Sequence, residues 1–182
     1  MDCTQPSSPL TITTQRLTLR PLNESDLATT YEYASNPANT QYMLYLPSKT
    51  IDDTKNFLQR VSSEWQKEIP SYYEFAVTLD NHHIGAVSIY LNDSRTEAEL
   101  GWIINLKYQG RGYATEAAKA VMQYSLDALK VNRIVAHCDY RNDASANVMR
   151  KIGMTLERSD GFRRYRDTEE DIPELMYSLN VK

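Results

Sequence analysis

The stretch that most restricts how this chain folds is QGRGYATEAAKAVMQYSLDALK, Gln109 to Lys130. Two of the chain's six glycines bracket an arginine here. A run with Ala114, Ala117, Ala118, Val121, Met122, Ser125 and Leu129 at helical spacing follows. Thr115, Glu116, Lys119, Gln123 and Asp127 fall on the opposite, wet side. EAELGWII (Glu97 to Ile104) stands before the turn and RIVAHCDY (Arg133 to Tyr140) after the helix, and both read as strands. A strand, a helix and a strand in close succession form a crossover, so these two strands should be parallel neighbours.

The rest of the chain arranges itself around that unit. RLTLRPL (Arg16 to Leu22) alternates as a strand. NESDLATTYEYAS carries a capping box in Asn23 and Asp26, and Pro37 is expected to end its helix. A second helix starts at Thr50, capped with Asp53, and buries Leu58, Val61 and Trp65. YEFAVTLD, HIGAVSIYL and EAELGWII are strands joined by the short turns DNHH and NDSRT. NDASANVMRKIG is a short helix with Asn142 or Asp143 as cap and Gly153 as stop. MTLERSD and ELMYSLN close the chain as strands, joined by the charged segment Gly161 to Pro173. The order is β-α-α-β-β-β-α-β-α-β-β: a mixed α/β fold, mostly antiparallel, with one parallel pair. Residues 1–182 read as a single domain, with residues 1–14 a loose N-terminal segment.

Composition narrows the function. Apolar content of 41% suffices for a packed core, and the net charge of −4 argues against general nucleic-acid binding. Cys3 and Cys138 are too few for a disulfide framework, and His82, His83 and His137 form no metal-binding spacing with them, so no metal is expected. The N-terminus lacks the pattern of a signal peptide, and no apolar run approaches a membrane span. A cytoplasmic location without membrane or nucleic-acid partners follows as the expectation.

The glycine turn has two readings. It is an ordinary strand-to-helix connection, or its amides and the helix dipole hold an anion beside Arg111. A P-loop is excluded because Tyr113 follows Gly112. A dinucleotide fingerprint lacks its third glycine, with Thr115 in that place, although Asp139 at the end of the next strand keeps that alternative open.

The pattern Gln-x-x-Gly-x-Ala, as Gln109, Gly112 and Ala114, resembles the GNAT superfamily of acetyl-coenzyme A dependent N-acetyltransferases. The resemblance covers TTQRLTLRPL, the segment from Glu97 to Leu126, and NDASANVMRKIGM. It looks closest to the branch containing the ribosomal-protein N-terminal acetyltransferases, which also includes enzymes acting on small amines. The element order above is also that of the GNAT fold.

The resemblance implies acetyl-CoA as cosubstrate and acetyl transfer to a primary amine, either a protein α-amine or a small molecule. It implies a splay between the parallel strands, with the pantetheine arm along the main chain of Trp102, Ile103 and Ile104. It assigns the pyrophosphate to the amides of Gln109, Gly110, Arg111, Gly112, Tyr113 and Ala114, with Thr115 as a further donor. Glu99 matches the family's glutamate and is the expected base, acting directly or through water; Glu97, on the same face, is the reserve. Many members use a tyrosine acid, but that slot holds Met149. Ser145 is therefore assigned to the coenzyme sulfur and Asn142 to the pantetheine, with helix capping as the competing role for both. Cys138 is expected to be a buried strand residue, with His137 on the other side of its strand. A homodimer is compatible with this reading. The rival from another class is a non-catalytic acyl-CoA-binding module.

Overall fold

The computed structural model describes residues 10–45, 47–166 and 168–181. Cys3 and residues 1–9 of the N-terminal segment lie outside the described residues, as does Asp167 in the charged segment. Eight strands form one sheet in the order β1-β2-β3-β4-β5-β6-β8-β7. They are β1 (Ile12–Thr13), β2 (Leu17–Pro21), β3 (Tyr72–Leu79), β4 (His82–Leu91), β5 (Glu97–Ile104), β6 (Arg133–Asp139), β7 (Thr155–Arg163) and β8 (Ile172–Asn180). All neighbours pair antiparallel except β5 and β6.

The helices are α1 (Leu27–Ala34), α2 (Pro37–Thr40), α3 (Ile51–Trp65), α4 (Tyr113–Asp127) and α5 (Asp143–Lys151). Both capping boxes form, at Asn23/Asp26 on a 3-10 turn before α1 and at Thr50/Asp53 before α3. Asp80 and Asn81 both take positive φ, as a two-residue hairpin between β3 and β4 demands. Pro37 behaves differently from the expectation. α1 stops at Ala34, and Pro37 opens α2 at its first turn behind Asn36, where a missing N–H costs nothing. β7 also runs further than expected, to Arg163.

Three layers result. On one face of the sheet, α4 and α5 close over Phe75, Val77, Val87, Ile89, Ala98, Leu100 and Ile134. On the other, Leu58 and Val61 of α3 pack on Ala76 and Ala86. α4 buries Tyr113, Ala117, Ala118, Val121, Met122 and Ser125; of the stripe its spacing predicts, Ala114 is only half-buried and Leu129 falls past the end of the helix.

Candidate active site

β5 and β6 pair over only three positions, Glu97 with Arg133, Ala98 with Ile134 and Glu99 with Val135. β5 continues to Ile104 beside β4, and β6 continues to Asp139 beside β8. The strands therefore part beyond Glu99. Asn92 N donates to Glu97 O and Asn105 N to Ile84 O. By alternation the main chain of Ile103 turns to β4, while Leu100, Trp102 and Ile104 turn toward the split. The Ile104 carbonyl is taken by Asn39 Nδ2 at 3.1 Å and Gln109 Nε2 at 2.8 Å. Leu100 and Trp102 thus remain as the positions past the last β5–β6 pair whose main chain turns to the split. A half-buried backbone in that state is suited to an extended ligand with amides of its own.

Past Ile104 the chain is braced before it turns. Asn39 Oδ1 receives Leu106 N at 2.7 Å, and Asn105 caps the 3-10 turn Leu106–Tyr108. Gly110 (φ 75°) and Gly112 (φ 82°) then take left-handed conformations. A Cβ on Gly110 would meet nothing within 4 Å, so its conformation rather than crowding requires glycine. Gly112 caps α4 with no side-chain acceptor, which leaves the amides of Tyr113, Ala114 and Thr115 as donors unfilled among the described residues, at a 15-residue helix. Arg111 is exposed beside them.

Arg16, just before β2, fastens this turn. Its guanidinium pairs with Glu116 at 2.6 Å, donates to the Arg111 carbonyl at 3.0 Å and lies 4.6 Å from the Tyr113 ring centre. Thr14 Oγ1 and Arg16 N also donate to Glu116 Oε1. Burial alone would raise the Glu116 carboxyl, but these donors hold it below the ordinary range.

At the end of β6, Asp139 is buried and organises the next turn. Arg141 N, Nε and Nη2 donate to it at 2.7 to 2.9 Å, and Tyr165 Oη at 2.5 Å. Burial opposes ionisation, but Arg141 and Tyr165 bring the carboxyl down to about 2. A carboxylate so enclosed is not placed to hold a ribose, which removes the support for a dinucleotide site. The Asp139 carbonyl accepts Asn142 N at 2.9 Å, and Asn142 Oδ1 caps α5 through Ser145 N at 3.0 Å. The Ser145 hydroxyl makes no hydrogen bond among the described residues and is part exposed. Met149 is fully buried, so the position at which the resemblance would have called for a tyrosine is a core position. Cys138 is buried, and burial pushes its thiol up to about 11, which suits packing and not nucleophilic attack.

The two β5 carboxylates have separate partners. Glu97 pairs with Arg133 at 2.6 Å, and Arg133 also reaches Glu157 and Asn180. Glu99 is half exposed, and its Oε1 lies 3.0 Å from His137 Nδ1. Opposite Glu99 on β4 stands Tyr90, whose hydroxyl donates to the buried Glu74 at 2.5 Å. Tyr72 stacks on Tyr90. Burial pushes Glu74 up to about 7, with the Tyr90 hydrogen bond working the other way. A row of Glu74, Tyr90, Glu99 and His137 thus crosses four strands, β3 to β6, beside the split.

Of the N-terminal aromatic residues, Tyr33 and Tyr73 are core, Trp65 is wedged between Tyr73 and Phe75, and Tyr45 stands in solvent. Pro37, Thr40, Met43 and Pro47 line a cleft of about 240 Å³ with Tyr165 and Arg166, where the early helices approach the β7–β8 segment. Sequence reasoning passed over His137, Glu74, Tyr90 and Arg16. Strand parity sets His137 opposite Cys138 on β6, but only the β5–β6 register brings it to the face of Glu99. No helix among the described residues is long and apolar enough to cross a membrane, and no group of three or more His, Cys, Asp or Glu side chains there could hold a metal.

Comparison with known proteins agrees with this geometry. The family model for the acetyltransferase (GNAT) domain matches residues 16–155. An uncharacterized N-acetyltransferase, YnaD of Bacillus subtilis (strain 168), is 34% identical over 153 residues, 83% of this chain and 84% of its own length. The spermidine N(1)-acetyltransferase of Escherichia coli (strain K12) is 29% identical over 142 residues, 76% of this chain and 73% of its own. A ribosomal-protein α-N-acetyltransferase solved in complex with coenzyme A superposes with a TM-score of 0.84 over 94% of this chain and 98% of its own, at 20% identity, a likeness of fold. With its strand split, its uncapped glycine turn and a family match across most of its length, the chain belongs to the GNAT acetyltransferase family.

Proposed function

We propose that this acyl-CoA-dependent N-acetyltransferase moves an acetyl group from acetyl-CoA to a primary amine by direct attack. The observation that carries the reading is the strand split opening beside an uncapped, glycine-led helix N-terminus. An open strand edge suits the amides of a pantetheine arm, here at Trp102, Ile103 and Ile104. The Trp102 main chain faces the split, while Ile103 and Ile104 shape its wall. The unfilled donors suit a pyrophosphate, at Gln109, Gly110, Arg111, Gly112, Tyr113, Ala114 and Thr115. Asn142 holds the α5 turn against the arm, and the Ser145 hydroxyl is free to donate to the leaving sulfur. Most amine acceptors enter as ammonium ions, with ordinary pKa values of about 8 to 10, so a proton must be drawn away before attack. Glu99 is the carboxylate that drives this step, since Glu97 is already committed to Arg133.

The acceptor is either a protein α-amine, as for the ribosomal-protein enzymes, or a small amine such as a polyamine. The relatives include both kinds. A panel of polyamines, aminoglycosides, amino acids and free-N-terminal peptides, assayed with acetyl-CoA for thiol release and for the acetylated product by mass spectrometry, tests the proposal. Thiol release matched by one acetyl group on a primary amine is the expected result. Failure of coenzyme A to bind, or acetylation of hydroxyl or thiol groups in place of amines, would overturn it.

A further inference from the structure

Glu99 has a partner that the reading above does not use. His137 lies two residues beyond the last paired position of β6, on the face that carries Glu99, where the two strands begin to separate. A carboxylate oxygen only accepts, so at 3.0 Å the Nδ1–H of His137 donates to Glu99 Oε1. In the neutral ring that places the proton on Nδ1 and leaves Nε2 with its lone pair. Nε2 has no hydrogen-bond partner among the described residues, and the side chain is a quarter exposed. The arrangement is that of a carboxylate orienting an imidazole so that its far nitrogen works as a base.

We propose that His137 Nε2 takes the proton from the acceptor ammonium, with Glu99 orienting the ring and stabilising the imidazolium that forms. This rests on the reading that Glu99 faces the acceptor. One proton passes from the ammonium to Nε2, and the freed amine attacks the thioester carbonyl. A C–N bond forms and the C–S bond breaks, with the sulfur taking the electron pair. A second proton leaves the new amide nitrogen for the sulfur and gives the free thiol. The proton on His137 returns to solvent, so ammonium and thioester yield amide, thiol and one proton.

The surroundings favour this role. Facing His137 are Glu99 from β5, Glu174 from β8 and Arg163 from β7, and Arg163 is tied to Glu174 at 2.8 Å. The hydrogen bond to Glu99 holds the imidazole above its ordinary value, which makes Nε2 a stronger base.

Two measurements on the intact protein test the idea. His137→Gln keeps a donor for Glu99 but cannot accept the proton. With acetyl-CoA and the fastest amine of the panel, kcat/KM should fall by roughly 10²- to 10⁴-fold near neutral pH, with the KM for acetyl-CoA unchanged. By NMR, the His137 C2–H titration in the unmodified protein should lie above that of His83, which burial holds below its ordinary value, and Glu99→Gln should move it down. If Glu99→Gln loses activity while His137→Gln keeps the wild-type rate and pH profile, the base assignment falls and the acceptor site over Glu99 stands. If neither substitution alters the rate, the acceptor does not meet this face, and both readings fall.

Discussion

Arg16 and Glu116 stand 100 residues apart in the sequence and meet at 2.6 Å. The pair joins the start of β2 to the first turn of α4, and the same guanidinium holds the Arg111 carbonyl. Each contact constrains the turn to which the coenzyme pyrophosphate is assigned in the proposed function. Arg16→Ala should therefore weaken coenzyme A binding by roughly tenfold while the fold is retained, because the pair is partly exposed and contributes little to global stability. Calorimetric titration with coenzyme A checks this, and unchanged affinity would reduce the pair to a surface tether.

Gly112 allows charge and conformation to be separated. Its φ of 82° strains any L-residue, so Gly112→Asp alone would confound strain with repulsion. Asn tolerates this region better than most residues and is close in size to Asp. We expect Gly112→Asn to bind coenzyme A moderately less well and Gly112→Asp to bind it at least tenfold more weakly again, since only Asp adds negative charge at the proposed pyrophosphate site. Equal affinities for the two variants would mean that no anion sits on the turn.

Ser145 separates capping from chemistry. The cap uses its amide and the Asn142 side chain, so Ser145→Ala leaves α5 intact. If the hydroxyl serves the departing sulfur, kcat should fall by roughly 10- to 150-fold, from about 1.5 to 3 kcal/mol of lost transition-state hydrogen bonding. Coenzyme affinity should hardly move. Steady-state kinetics against a coenzyme A titration distinguishes this from a residue whose only role is local.

Much of this architecture could be read before any coordinates. The 3.6-residue stripe of α4, the alternation of β5 and the caps at Asn23, Thr50 and Asn142 are local patterns, and local patterns survive into the fold. What stayed hidden depends on neighbours across the sheet. The sequence shows Glu97 and Glu99 as equals on one face, and only the β5–β6 register allots Arg133 to one and His137 to the other. Pro37 carries the same local signal whether it ends one helix or opens the next. Glu74 alternates with the apolar Tyr73 and Phe75 along β3. It is buried because this part of the sheet is covered on both faces, which strand periodicity alone does not reveal.

That burial has a measurable consequence. Glu74 is almost fully enclosed, its carboxyl accepts only the Tyr90 hydroxyl among the described residues, and burial pushes its folded pKa up to about 7, above its value in an unfolded chain. The folded state then binds more protons than the unfolded state through the intervening range, so stability falls as pH rises. The contribution is fully present below an unfolded carboxyl's value of about 4.3 and is lost once pH passes about 7. Glu74→Gln preserves the shape and an acceptor for Tyr90 but cannot ionise. The two proteins should melt at similar temperatures near about pH 4.5, and the variant should melt several degrees higher near about pH 8, with an upper bound of about 3 kcal/mol. Taking the difference between the two proteins cancels other groups that titrate over this range, such as the buried His83, which burial holds below its ordinary value and which therefore costs stability as pH falls. Thermal melts across that range check the prediction. A difference in melting temperature that stays flat with pH would show that Glu74 is ionised in the folded protein at every pH tested, stabilised by a donor other than Tyr90.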